Sequence, residues 1–300
     1  MEQVQIADHF SVSRIIQGCW RLNNWGKSPQ ELLKSIEQWI EMGITTFDHA
    51  DIYGDYTCEA LFGNALKLKP ELRQKMQLIT KCGIKLKSKK YPNRRIKTYD
   101  YSYDHIIKSV DQSLLNFQTD NIDLLLLHRP SPLLNPSEIN SVFNQLVKFG
   151  KVRHVGVSNF TRSQFENLQS ACDLPLVTNQ IELSPMCLEH FESGNVDFLQ
   201  SKNIRPMAWS PLGGGMLFKP ESELSQRLNH AFHEMAKIKD LESFTGLALA
   251  WLLQHPSGIL PILGSGNPER SKRAVDSLDL KLTNEEWFAI YYAATGSNLP

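Results

Sequence analysis

Short apolar runs alternate with longer amphipathic segments along the whole chain, and this rhythm is the strongest signal in the sequence. The runs predict eight strands, over 14–18, 45–49, 76–81, 122–128, 152–157, 176–180, 206–210 and 260–263. Helical segments are predicted between and after them, over 29–42, 58–68, 103–117, 136–149, 163–171, 196–202, 229–255 and 268–277. Strand followed by helix, eight times over, is the pattern of a parallel sheet covered by helices, so the expected class is α/β, a (β/α)₈ TIM barrel. Several strands, such as IDLLLLH, are nearly unbroken apolar runs, as a strand buried on both faces requires. Pro29, Pro136 and Pro268 fall where a first helical turn tolerates proline, and Ser28 and Asn267 precede two of them as N-caps.

No Pro/Gly/Ser-rich linker interrupts this rhythm and no longer repeat is visible, so residues 1–300 are expected to form one barrel domain. Two segments are longer than ordinary strand-to-helix loops, 83–102 and 211–228. In a barrel both lie on the face where the strands end, which is the face that carries chemistry.

Composition narrows the function classes. Of 300 residues 41% are hydrophobic and 21% charged, ample for one large core. Thirty-two basic and thirty-two acidic residues cancel, which argues against a nucleic-acid partner or an anionic membrane surface. No stretch approaches the roughly 20 apolar residues of a membrane helix, and the N-terminus has no apolar signal core. Cys19, Cys58, Cys82, Cys172 and Cys187 are odd in number, scattered and without metal-ligand spacing. They read as reduced thiols, with no metal site, and the expected location is the cytoplasm.

Polar residues recur where the apolar strands end, in FDHADIYG, LITKCG, LLLLHRP, VGVSNF, VTNQIE and MAWSPLGGG. A barrel brings such ends to one cup, so Asp48, Tyr53, Lys81 and His128 are expected to share a pocket. Together they suit reduction of a carbonyl. A phenol with a pKa of about 10 is a poor proton source at neutral pH unless it is tuned. The expectation is that Lys81 lowers the pKa of Tyr53 and that Asp48 holds the lysine charged and placed. His128 is expected to orient the substrate oxygen. Each residue also has a plainer reading, as a turn residue, a packed aromatic or a backbone-bonding histidine. The convergence of four is what favours chemistry.

These residues are similar to those of the aldo-keto reductases. The resemblance runs from GCW, through FDHADIYG, TKCG, LLLLHRP, GKVRHVGVSNF, TNQIELSP and AWSPLGGG, to PILGSGNPER, in order and over nearly the whole chain. It is closest to bacterial oxidoreductases related to the potassium-channel β-subunit-like branch. The resemblance implies a (β/α)₈ fold and an extended NADP(H), with NAD(H) also open, bound without a Rossmann domain. Hydride would pass from the nicotinamide to an aldehyde or ketone carbon while Tyr53 protonates the oxygen. It also implies that Ser158, Asn159 and Gln180 bind the carboxamide, that Trp209 stacks on the ring, and that Ser210, Leu212, Gly213 and Gly214 follow the pyrophosphate. Gly264, Ser265, Gly266, Asn267 and Arg270 align with the segment around the ribose phosphate, and Gly18, Cys19 and Trp20 join the cofactor set. Two departures, His49 for threonine and Trp209 for tyrosine, leave the proton path alone. A third replaces a phosphate-binding lysine with Gly264, which weakens the preference for NADPH unless Lys272 or Arg273 compensates. The family also implies a monomer.

The segment 85–97 holds seven Lys/Arg residues and no acid. It is either a solvated loop or a device that draws an anionic cofactor or substrate. Trp20, Tyr91, Tyr99 and Tyr101 are candidates to line an apolar substrate pocket, with Trp20 equally able to be core. Two other functions compete with reduction: a Schiff-base aldolase or lyase using Lys81, and a cofactor-binding regulatory subunit.

Overall fold

The computed structural model describes residues 1–298. Its strands are β1 (Gln3–Ala7), β2 (Phe10–Ser13), β3 (Ile16–Gly18), β4 (Thr46–Asp48), β5 (Gln77–Cys82), β6 (Ile84–Lys85), β7 (Thr98–Tyr99), β8 (Ile122–Leu127), β9 (Val152–Ser158), β10 (Leu176–Glu182), β11 (Met207–Trp209) and β12 (Leu260–Leu263). Its helices are α1 (Pro29–Glu41), α2 (Tyr53–Tyr56), α3 (Cys58–Leu66), α4 (Tyr103–Phe117), α5 (Pro136–Lys148), α6 (Arg162–Ala171), α7 (Glu189–Glu192), α8 (Asn195–Ser201), α9 (Glu223–Ile238), α10 (Thr245–Leu253), α11 (Pro268–Asp276) and α12 (Asn284–Thr295). Eight of the strands close into a barrel in the order β10-β11-β12-β3-β4-β5-β8-β9, as the strand and helix rhythm predicts. Among the described residues no helix is long and apolar enough to cross a membrane.

The chain divides into two compact units, residues 1–179 with 264–266, and residues 180–263 with 267–298 of those described. In the first unit β4, β5, β8 and β9 pair in parallel register, Asp48 opposite Ile79 and Lys81 opposite Leu126. Every residue of β8 is buried, which explains its continuous apolar sequence. The exception within that run is Asp123, whose carboxylate accepts from Leu78 N and pairs with Arg73 at 2.8 Å. A buried acid with a cation and a backbone donor ties β8 to the start of β5 and stays satisfied. The antiparallel hairpin β1–β2, which the rhythm did not predict, is fastened to the start of β4 by Ser13 N donating to Thr46 Oγ1 and Thr46 N donating to Ser13 Oγ.

Local signals set the helix starts. Ser28 forms a capping box with Glu31, and Asn267 accepts from Glu269 N, as expected from sequence. Asn135 before Pro136 does the same and could have been read in the same way. In the second unit the segment expected to be helical over 229–255 is two helices. α9 begins earlier, capped by Ser222, and the chain breaks at Asp240, whose φ of +52° takes it out of helical geometry before α10. α12 and the small hairpin of β6 and β7 were likewise unpredicted. Trp251 and Trp287 stack at 4.8 Å, and each indole N–H donates to the other's backbone carbonyl, which binds α12 to α10.

Candidate active site

The four residues expected to act together all lie in the first unit. Thr80 donates to the carboxylate of Glu59 on α3, so that side of β5 faces the helices. Side chains alternate along a strand, and Lys81 therefore faces the other way, into the barrel. Its ammonium donates to both oxygens of Asp48 at 2.8 Å, to the carbonyl of His49 at 2.6 Å and to the hydroxyl oxygen of Tyr53 at 2.9 Å. Three N–H bonds thus serve a carboxylate, a carbonyl and a phenol oxygen. Lys81 is 1% exposed and Asp48 3%.

Tyr53 follows β4 at a tight turn in which its own N–H donates to Ala50 O. The chain then runs left-handed through Gly54, Asp55 and Tyr56, at φ of +58°, +55° and +68°. His128 directly follows β8, held by its N–H on Cys82 O and by Asn159 Nδ2 on its carbonyl. The Tyr53 and His128 rings meet edge to face at 5.9 Å. His128 Nδ1 is buried without a hydrogen-bond partner among the described residues.

Burial dominates the electrostatics. It pushes Tyr53 up to about 12; Lys81 opposes this and Asp48 adds to it. The expected lowering of Tyr53 by Lys81 is therefore outweighed, because a phenolate taken out of water costs more than one cation recovers. Burial alone would depress Lys81, but Asp48 and Tyr53 hold it above its ordinary value. His128 is held well below the usual imidazole range by burial, then by Lys81 and Arg129, and is neutral at physiological pH. His49 contributes its carbonyl to Lys81, while its ring packs edge-on against Phe62 and Phe117.

The remaining candidates divide between the units. In the first, Gly18 ends β3, Cys19 N donates to Asp48 O, and Gln17 Nε2 donates to the carbonyls of Gly18 and Ser265. Trp20 is neither core nor enclosed: it is 58% exposed, with the Arg21 guanidinium 5.1 Å from its ring. Ser158 is buried at the end of β9, and Asn159, left-handed at φ +63°, directs Nδ2 to His128 O and Ser158 Oγ. Gly264 is exposed, and a Cβ built on it meets nothing within 4 Å. In the second unit Gln180 is buried in β10 and Trp209 ends β11. Ser210 is left-handed, and the glycines that follow form a hydrogen-bonded turn rather than a loose loop, with Gly213 N on Ser210 O and Gly215 N on Leu212 O. Gly213 and Gly214 have φ of +59° and +64°, and a Cβ on Gly213 would sit 2.7 Å from Met186 Sδ. Asn267 spends its side-chain oxygen on capping α11, and Arg270 is exposed in that helix's first turn. Lys272 is paired with Asp276 at 2.7 Å.

The model of the aldo/keto reductase family matches residues 14–293. The chain belongs to this family. It is 48% identical over 300 residues, the whole of both chains, to the uncharacterized oxidoreductase YcsN of Bacillus subtilis (strain 168). It is 42% identical, again over the whole of both, to a 6-dehydroglucose reductase of Agrobacterium fabrum. Its fold matches the glycerol dehydrogenase of Gluconobacter oxydans with a TM-score of 0.85 at 23% identity, covering 99% of this chain and 97% of that one. Aldo/keto reductases use nicotinamide cofactors.

Around these four residues, Glu59 and Tyr56 were not found from sequence, and Tyr101 was named there for a different role. Glu59 takes hydrogen bonds from Thr80, Ser113 and Asn116 and so fixes the outer side of the strand bearing Lys81. The lone acid in the largely apolar CEALFGNAL was the available signal. Tyr56 Oη accepts from Leu86 N and Arg94, anchoring the basic segment. Tyr101 is buried, and its hydroxyl exchanges hydrogen bonds with the backbone of Arg129, next to His128. Only contacts distant in sequence reveal either tyrosine's role.

Proposed function

We propose that the protein is an NADP(H)-dependent reductase of aldehyde or ketone carbonyls, with Tyr53 as proton donor. The observation that carries this reading is the direction of one hydrogen bond. Lys81 donates to the Tyr53 oxygen, so the phenol's own proton is directed elsewhere. With a pKa of about 12 Tyr53 stays protonated at neutral pH, yet gives its proton downhill to an alkoxide, whose conjugate acid is a weaker acid still, about as weak as water. Lys81, kept charged by Asp48, then stabilises the phenolate left behind. Neutral His128 offers an uncharged ring N–H to the carbonyl oxygen and so orients it without competing as an acid.

The residues present fit a nicotinamide dinucleotide. In the first unit a Cβ on Gly264 would meet nothing within 4 Å, and in the second a Cβ on Gly214 would meet only Ser210 Oγ at 4.0 Å, so the backbone at each is open to a ligand. When bound, the cofactor supplies the hydride for the carbonyl carbon. Lys81 speaks against the Schiff-base alternative: its amine is held charged and fully hydrogen-bonded, whereas attack on a carbonyl needs it neutral. The 6-dehydroglucose reductase at 42% identity favours a small polyhydroxylated aldehyde as substrate. The test is NADPH oxidation by purified protein with sugar aldehydes, simple aldehydes and ketones, each compared with Tyr53→Phe. No turnover on any of them, with NADPH bound, would sink the reductase reading and leave the regulatory one.

A further inference from the structure

Lys27 lies in the loop between β3 and α1, and its ammonium donates to Gly266 O at 2.7 Å and to Ser35 Oγ. Both acceptors are neutral. Among the described residues Lys27 forms no ion pair; its ammonium also lies 5.7 Å from the Trp39 ring, and the residue is half-buried. Two residues earlier, Trp25 lies flat against Gly266: a Cβ there would be 2.4 Å from the indole. Trp25 and Lys27 therefore clamp the segment 264–266 from one side, and Gly264 within that segment offers no charge of its own.

We propose that Lys27 is the cation that binds the 2′-phosphate of NADP(H) and sets the preference for it over NAD(H). This rests on the dinucleotide reading above. A cation placed by a backbone carbonyl and a hydroxyl, with no carboxylate in direct contact, gains from a dianionic phosphate. Burial draws the Lys27 amine below its ordinary value, and Glu31 opposes this. Trp25 makes the arrangement rigid by preventing the 264–266 segment from sliding along the lysine.

The experiment is equilibrium titration of NADPH and NADH by fluorescence, on wild type, Lys27→Gln, Lys27→Arg, and Lys27→Gln combined with Gly264→Lys. The glutamine can still donate to Gly266 O, so it removes the charge while keeping the clamp. Lys27→Gln is expected to weaken NADPH about tenfold or more, the loss of one charge-assisted hydrogen bond, and to leave NADH within about twofold. Lys27→Arg keeps most of the discrimination. Gly264→Lys restores at least half of it, because the position has open space. Equal weakening of both cofactors would assign Lys27 to the pyrophosphate or to loop structure and overturn the proposal, as would no change in either. If the wild type binds both equally, this inference fails and the reductase reading stands; if it binds neither, both fail.

Discussion

The Lys81 ammonium and the Tyr53 hydroxyl are 2.9 Å apart, with the lysine as donor, and this polarity assigns the phenol proton outward. Tyr53→Phe removes that proton and nothing else of comparable size. Turnover should fall by at least about two orders of magnitude, the lower range for loss of a general acid. NADPH affinity should stay within a few-fold. Steady-state kinetics with parallel fluorescence titration checks both, and kcat retained within tenfold would place the acid elsewhere.

Asp48 and Lys81 are both buried, so breaking the pair strands a charge. Asp48→Asn should cost about 3 kcal/mol, toward the low end for a broken buried pair because an amide oxygen still accepts. Asp48→Asn with Lys81→Met should cost less than Asp48→Asn alone, since no cation is then left uncompensated. Urea unfolding measures the difference. A double variant less stable than the single one would contradict this account.

His49 is held at about 3 by burial, then by Lys81, against an ordinary 6.5. The unfolded chain therefore takes up a proton below about pH 6.5 that the folded chain refuses. Stability is unaffected above that value and falls with pH between 6.5 and 3, by up to about 1.4 kcal/mol per unit for this group. In His49→Leu the slope of unfolding free energy against pH, measured from pH 6 to 4, should be shallower by about one proton. Subtracting variant from wild type removes the contributions of other titrating groups, and parallel slopes would refute the assignment.

Tyr56 Oη is the acceptor for Leu86 N at 2.8 Å, and Arg94 reaches it at 2.7 Å while lying 3.8 Å from the Tyr91 ring. Lys85 is likewise paired, with Asp100. Part of the basic segment is thus engaged within the protein. Tyr56→Phe should unfasten it, raising Leu86 amide exchange by about fivefold or more for a lost hydrogen bond of about 1 kcal/mol. Unchanged exchange would show that the segment is held by other contacts.

Legible from the chain alone were the eight strand–helix units, the helix starts at Ser28 and Asn267, and the four polar residues at three neighbouring strand ends, because each depends on local periodicity or on short capping geometry. The tertiary structure decided what these residues do to one another. The sequence reading had Lys81 making Tyr53 more acidic; the fold buries the phenol so deeply that desolvation wins and the pKa rises to about 12. It also decided that Trp20 faces solvent, that Tyr101 braces Arg129, and that Lys27 reaches Gly266, 239 residues further along the chain. Desolvation and long-range hydrogen bonds depend on which surfaces the packed chain encloses, and no local pattern encodes that.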